Sequence, residues 1–283
     1  MAIIAHLSDI HFGRHDPVIV RAVEDLLSEK RPNLVVISGD FTQRARTGQY
    51  ELACRFLARL QSAGLAVLSV PGNHDIPLYD VTRRFLRPLH RYRRFIDTNP
   101  CPWFENDEVA VLGINTARSL TTKHGSVSHA QMQRIREAFG RVSEEKTHIL
   151  VTHHPLFAMP IGEEGGLTRV ADRSHDAIAV AAEAGVDMLL AGHFHRSFSS
   201  SAREMVDTAG PALVIQAGTA TSTRLRGEER QSFNWIETSG SEIRLQVLSW
   251  HEDSFKAGPP AGFVLADGHW RSAPTDAPAA ATG

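Results

Sequence analysis

Apolar positions along the chain follow two alternating rhythms. Residues 3–7, 34–37, 65–70, 109–114, 148–152 and 187–191 are short, mostly continuous apolar runs of strand length. Runs with no polar face belong to strands covered on both sides. Between them lie segments with apolar residues three and four apart, the helical period. Asp16 and Pro17 open the first, an N-cap followed by a proline at the first helical position. Val18, Ala22, Leu26 and Leu27 carry its stripe as far as Ser28. The second runs from Gln49 to Ser62, with Leu52, Phe56, Leu57 and Leu60 on one side and Gly64 past its end, where a left-handed cap is needed. Residues 128–139 and the alanine-rich residues 174–184 read as further helices. Residues 78–95 are helical in pattern, and Pro88 predicts a break within them.

After Ala191 the rhythm changes. Residues 213–216, 233–237 and 243–248 are short β-rich runs without long helices between them, as in antiparallel strands. Alternating strands and helices followed by a β-rich part predict an α/β fold of two packed mixed sheets flanked by helices. We see no internal repeat and no dividing linker. Residues 1–256 are expected to form one domain. Residues 257–283, rich in Gly, Pro and Ala, are expected to form a C-terminal extension, disordered from Ser272 onward.

Composition narrows the class. The 283 residues are 42% hydrophobic and 22% charged, with a formal net charge of -2. Such a balance argues against holding nucleic acid by bulk electrostatics. The two cysteines, Cys54 and Cys101, make no disulfide framework, and Cys54, inside the second helix, reads as a buried core thiol. The N-terminal apolar run is too short and lacks the basic start of a signal peptide. No stretch approaches the roughly 20 apolar residues of a membrane span, and a cytoplasmic protein is expected. Arg83, Arg84, Arg87, Arg91, Arg93 and Arg94 crowd one segment. They read as a solvated helix face or as an anion-attracting rim, with a peripheral membrane contact from Arg83 to Arg94 as one use of it.

The chemistry lies where strands end. Five apolar runs are followed by Asp9-Ile10-His11, Gly39-Asp40, Gly72-Asn73-His74-Asp75, His153-His154-Pro155 and Gly192-His193-Phe194-His195. In a parallel sheet these would share the carboxyl edge, where open α/β sheets bind ligands. Any one of them alone is weak, since Asp-x-His tripeptides occur by chance on surfaces. Together they offer carboxylates, imidazoles and an amide, a donor set suited to Mn, Fe or Zn. Such a mixture makes a two-metal site.

In this order the five motifs resemble the calcineurin-like metallophosphoesterase superfamily, over residues 3–195. The resemblance implies an α/β/β/α metallophosphoesterase sandwich and two divalent ions. Asp40 would bridge them, with Asp9, His11 and His195 completing one site and Asn73, His153 and His193 the other. His74 would be the catalytic acid, Asp75 would orient it, and His154 would either support the ligands from behind or contact substrate. Asn115, Arg87 and Arg91 are further candidates for substrate contact. Length and layout are similar to the bacterial branch acting on cyclic nucleotides and glycerophosphodiesters, so a small-molecule or lipid phosphodiester is expected. The alternatives are a nucleotide-sugar or lipid pyrophosphatase, a nuclease of the same fold, or a non-catalytic scaffold, and the last sits poorly with an intact set of ligand positions.

Overall fold

The computed structural model describes residues 1–121, 123–161, 166–201, 212–225 and 229–274. Residues 275–283 of the expected tail lie outside them. The first part runs β1 (Ala2–Leu7), α1 (Pro17–Lys30), β2 (Leu34–Ile37), α2 (Thr47–Ser62) and β3 (Val67–Ser69). Next come α3 (Val81–Leu86), α4 (His90–Phe95), β4 (Trp103–Glu105), β5 (Val109–Ile114), α5 (His129–Phe139) and β6 (Thr147–Thr152). The hairpin β7 (Pro160–Ile161) and β8 (Gly166–Leu167) precedes α6 (Ser174–Glu183), β9 (Met188–Ala191), β10 (Phe198–Ser201) and β11 (Leu213–Gln216). The chain closes with β12 (Ser232–Ser239), β13 (Glu242–His251), β14 (Ser254–Ala257), β15 (Ala261–Ala266) and β16 (His269–Ala273).

Two sheets result. One has the order β16-β15-β13-β12-β1-β2-β3, with β14 on β13, and the other β10-β11-β9-β6-β5-β4. β1, β2 and β3 pair in parallel, as do β5, β6, β9 and β11, while β12 adds antiparallel to β1. Alternate residues of each parallel strand take opposite faces. Ile4, Val36, Val151 and Leu190 meet between the sheets, with Ile149 and Met188. Leu7, Val35 and Ile37 turn outward onto α1 and α2, and Leu112, Leu150 and Leu189 onto α5 and α6. Both faces of each parallel strand are therefore dry, which is why those runs have no polar alternation.

Several local expectations need correcting. The buried stripe of α1 is Ile19, Val20, Val23 and Leu27, and Val18 is exposed. Cys54 is also exposed, because the buried face of α2 is set by Tyr50, Ala53, Phe56, Leu57 and Leu60. Residues 261–273 do not leave the domain as an extension. They pair as β15 and β16 at the edge of the first sheet, where Trp270 is buried between the sheets. Short edge strands such as β4 and β10 carry too little apolar pattern to be read from sequence. The break at Pro88 falls between α3 and α4 as expected. No helix among the described residues is long and apolar enough to cross a membrane.

Candidate metal centre

The five motifs do not line one parallel edge. Three follow β1, β2 and β3 of the first sheet, and two follow β6 and β9 of the second. They meet because the sheets stack with their carboxyl edges together. The motif residues stitch that seam themselves. The backbone N–H of His193 donates to Asp9 Oδ2 at 2.9 Å, and His153 Nδ1 lies 2.7 Å from the Ser38 carbonyl. The loops turn tightly to achieve this. Asp9, His11, Asp40, His193 and His195 have φ of 54°, 54°, 54°, 82° and 57°, a region L-residues seldom enter. Strain of about 1–3 kcal/mol per residue persists only where the surroundings hold it, and it concentrates at functional sites. Gly39 (φ 100°) has no room for a side chain either, since a Cβ there would lie 2.6 Å from the His153 ring.

The donor atoms form two connected groups. In one, His195 Nε2 is 3.0 Å and His11 Nε2 3.5 Å from Asp9 Oδ1, and the two Nε2 atoms face each other at 3.0 Å. In the other, His153 Nε2 lies 3.2 Å from Asn73 Oδ1 and 3.3 Å from His193 Nδ1. Asp40 Oδ2 joins them, standing 3.7 Å from His11 Nε2 and 3.5 Å from His153 Nε2.

The outer contacts leave these donors ready for a cation. A carbonyl only accepts, so the Ser38 carbonyl holds the proton of His153 on Nδ1, and the Arg224 carbonyl, 3.1 Å from His195 Nδ1, does the same there. The Nε2 lone pairs then point inward, the arrangement that fixes a metal-binding tautomer. Each carboxylate is divided in the same way. Asp9 Oδ2 accepts from Ser8 Oγ at 2.6 Å and from His193 N, while Asp9 Oδ1 is buried without a hydrogen-bond partner. Asp40 Oδ1 accepts from His74 N at 2.8 Å, leaving Oδ2 to face the imidazoles. An orphaned buried carboxylate oxygen amid converging lone pairs fits divalent cations.

The electrostatics agree. Burial alone would raise Asp40, but the facing His153 and His74 hold it well below the usual carboxylate range. Asp9 is held low by His195 and His11 against the same burial. Burial works against the charged form of His153 too, yet the adjacent Asp40 carries its pKa up to about 9. In the metal-free chain a proton on His153 thus stands beside Asp40, where a cation would.

His74, expected to act as the acid, stands at the rim with its ring 5.0 Å from that of His11, edge to face. Its Nδ1 is 2.8 Å from the Gln43 carbonyl. Asp75, expected to orient that imidazole, is committed elsewhere. Its carboxylate accepts from the backbone of Phe41, Thr42 and Gly72 and from Thr42 Oγ1, clamping the β2 and β3 loops together. Burial, and then the charge of Asp40, push its pKa to about 7.

The substrate-contact candidates divide. His154 is buried against the centre, its ring 4.7 Å from that of His193, with Nδ1 2.8 Å from Thr116 Oγ1 and Nε2 unpartnered. Burial and the neighbouring His153 and His193 keep its pKa well below the usual value. Asn115 instead closes its own turn, accepting from Ala117 N at 2.9 Å. Arg87 and Arg91 line a cleft of their own with Thr47, Arg83, His90 and Arg94, and Arg91 donates to the Ala45 carbonyl. Sequence reasoning missed Ser8, Ser38, Gln43 and the Arg224 carbonyl. Three of these act through backbone atoms, which no side-chain pattern reports. Ser8 alone offered a signal, as a hydroxyl adjacent to Asp9.

Comparison with known proteins gives the same picture. A stretch of 98 residues is 31% identical to the glycerophosphodiester phosphodiesterase GpdQ of Enterobacter lignolyticus strain SCF1, covering 31% of this chain and 34% of that relative. The chain thus spans about a third of the length of the curated relative it matches. Among solved structures, a dimetal phosphatase from Danio rerio superposes with a TM-score of 0.62 at 13% identity, over 90% of this chain and 98% of that one. The purple acid phosphatase PPD1 of yellow lupin (Lupinus luteus) seeds gives the same score and identity, over 90% and 52%. At that identity the likeness is one of fold, two mixed sheets with flanking helices. Residues 3–197, which hold all five motifs and both sheet edges, match the calcineurin-like phosphoesterases, and the chain belongs to that family.

Proposed function

We propose that the protein is a dinuclear, metal-dependent phosphodiesterase acting on a small or lipid-derived phosphodiester, with glycerophosphodiesters the leading class. One observation carries the reading: Asp40 Oδ2 faces both imidazole groups, at 3.7 Å from His11 and 3.5 Å from His153, so one carboxylate oxygen can serve two cations. Asp9, His11 and His195 would hold one ion with Asp40, and Asn73, His153 and His193 the other. The mixture of imidazole, carboxylate and amide suits Mn, Fe or Zn. Bound in such a pair, divalent ions supply hydroxide at neutral pH and offset the charge of the phosphoryl oxygens.

The rest falls to the chain. The Gln43 carbonyl keeps a proton on His74 Nδ1 and so turns Nε2 outward; with a second proton on Nε2, the imidazolium would donate it to a departing alkoxide. His154 Nε2, buried and unpartnered, is placed for a phosphoryl oxygen. The match to a glycerophosphodiester phosphodiesterase over part of its length supports the diester class.

The test is a panel on metal-replete protein: glycerophosphodiesters, cyclic nucleotides, bis(p-nitrophenyl) phosphate, nucleotide sugars and short nucleic acids. A glycerophosphodiester should show the highest kcat/KM, and His74→Ala should lower kcat by about 10²–10⁴-fold with both ions retained. Preference for a nucleotide sugar, or no turnover with two ions bound, would refute the proposal.

A further inference from the structure

We propose that α3, the loop before it and the tip of the loop at Leu120 form a docking surface for an anionic phospholipid membrane. This goes beyond the catalytic reading and holds whether or not the lipid is also the substrate. Among the described residues eleven large hydrophobic side chains are exposed, and six of them fall here: Leu78, Tyr79, Val81, Phe85, Leu86 and Leu120. The exposure is high, at 69% for Tyr79, 75% for Leu86 and 88% for Leu120. Scattered single apolar residues need no explanation, but a concentrated patch does.

The patch is built to stay open. Arg84, beneath it, is buried and donates to the Pro77 carbonyl at 3.1 Å and to the Thr121 carbonyl at 2.8 Å. One guanidinium thus ties the loop before α3, the helix itself and the Leu120 loop into one platform. Arg44 sits 5.1 Å from the ring centre of Tyr79 and steadies its edge.

Charge selects the occupant. On α3, Val81 and Phe85 lie one turn apart on one face, with Arg83, paired with Asp80 at 2.8 Å, on the next, and Arg87 just past the helix end. The basic side continues into the cleft of about 240 Å³ where Arg83, Arg87, Arg91 and Arg94 converge. Residues 78–95 hold six arginines and one aspartate on a chain whose net charge is -2. Apolar side chains beside a basic cleft fit a surface that offers acyl chains and phosphate together. A second copy fits poorly, since a two-fold contact through this patch would oppose like arginines. Docking here would also bring the metal centre to the lipid, because Arg44 follows directly on Gln43, the residue that holds His74.

The test is co-sedimentation of the full chain with vesicles of phosphatidylcholine alone or with one third phosphatidylglycerol, at low and high salt. Binding should require phosphatidylglycerol and weaken with salt. Arg83→Glu should reduce it by about five-fold or more. Phe85→Ser with Leu86→Ser should reduce it by about ten-fold or more, since each buried methylene contributes. Circular dichroism and bis(p-nitrophenyl) phosphate turnover should stay unchanged in these variants. Absence of binding to phosphatidylglycerol vesicles, or undiminished binding by the Phe85/Leu86 variant, would overturn the proposal. So would a solution dimer abolished by the same variant, which would make the patch a contact between copies.

Discussion

The carboxyl edges of the two sheets divide the labour unequally. The first sheet brings both carboxylates, Asp9 and Asp40, with the amide of Asn73 and the imidazole of His11. The second brings imidazoles, His153, His193 and His195. Each donor group nevertheless draws on both edges, since His195 joins Asp9 and His11, while Asn73 joins His153 and His193. Neither sheet therefore owns a site. Negative charge sits on one side of the seam and proton-holding imidazole on the other, and a pair of cations would act as a clasp between two layers that otherwise meet through apolar side chains and a few hydrogen bonds of the motif loops.

The sharpest way to break this comparison is at the atom both groups share. Asp40→Ala should abolish turnover and leave neither ion tightly bound by elemental analysis, because both groups lose a ligand. His195→Ala removes a donor from one group only and should leave about one ion per chain. If Asp40→Ala retained two ions, the bridging role would be wrong and the two edges would hold independent sites.

Removal of metal comes next in size. Ligands that join the two edges stabilise only the folded state. At a free metal concentration 100 times the dissociation constant this contributes about 2.7 kcal/mol per site. For a chain of this size the melting temperature should fall by about 5–10 °C on chelation for each ion lost. An unchanged melting curve after chelation would show that the seam needs no clasp.

Subtler is the scaffold behind a carboxylate. Ser8 Oγ donates to Asp9 Oδ2 at 2.6 Å and so turns Oδ1 toward His11 and His195. Ser8→Ala should weaken metal binding by about 10–100-fold while leaving the fold intact. The effect belongs to the Asp9 group, so a metal titration should show one weakened phase and one unchanged.

How much of this was legible depends on which atoms do the work. The strands preceding the motifs were readable because both their faces are buried, and continuous runs such as Leu34–Ile37 follow directly from that. The donors were readable because side chains carry the chemistry. What binds them in place was not. The Ser38, Gln43 and Arg224 carbonyls act whatever side chain they bear, and the role expected of Asp75 fell to the Gln43 carbonyl for that reason. The phase of α1 was misread because Val18, at its first turn, projects into solvent before the helix meets the sheet. Residues 261–273 were misread because an edge hairpin rich in Gly and Ala has little apolar alternation to show.

The smallest predicted effect tests the charge asymmetry itself. In the metal-free chain Asp40 raises His153 from 6.5 to about 9. A folded-state pKa above the unfolded value stabilises fully below pH 6.5 and is lost as pH rises through 9. Asp75, raised from 3.8 to about 7, also loses stability with rising pH, but its window closes near pH 7. Melting of chelated protein between pH 7.5 and 9.5 therefore isolates the imidazole side of the seam, and the melting temperature should fall by a few degrees across it. Metal-loaded protein should lack that slope, because the cation has displaced the proton, and loading at pH 7.5 should release protons into a weakly buffered solution. A slope that persists in the loaded protein would mean that the proton on His153 and the cation do not compete, and the second sheet's edge would then not be a ligand edge.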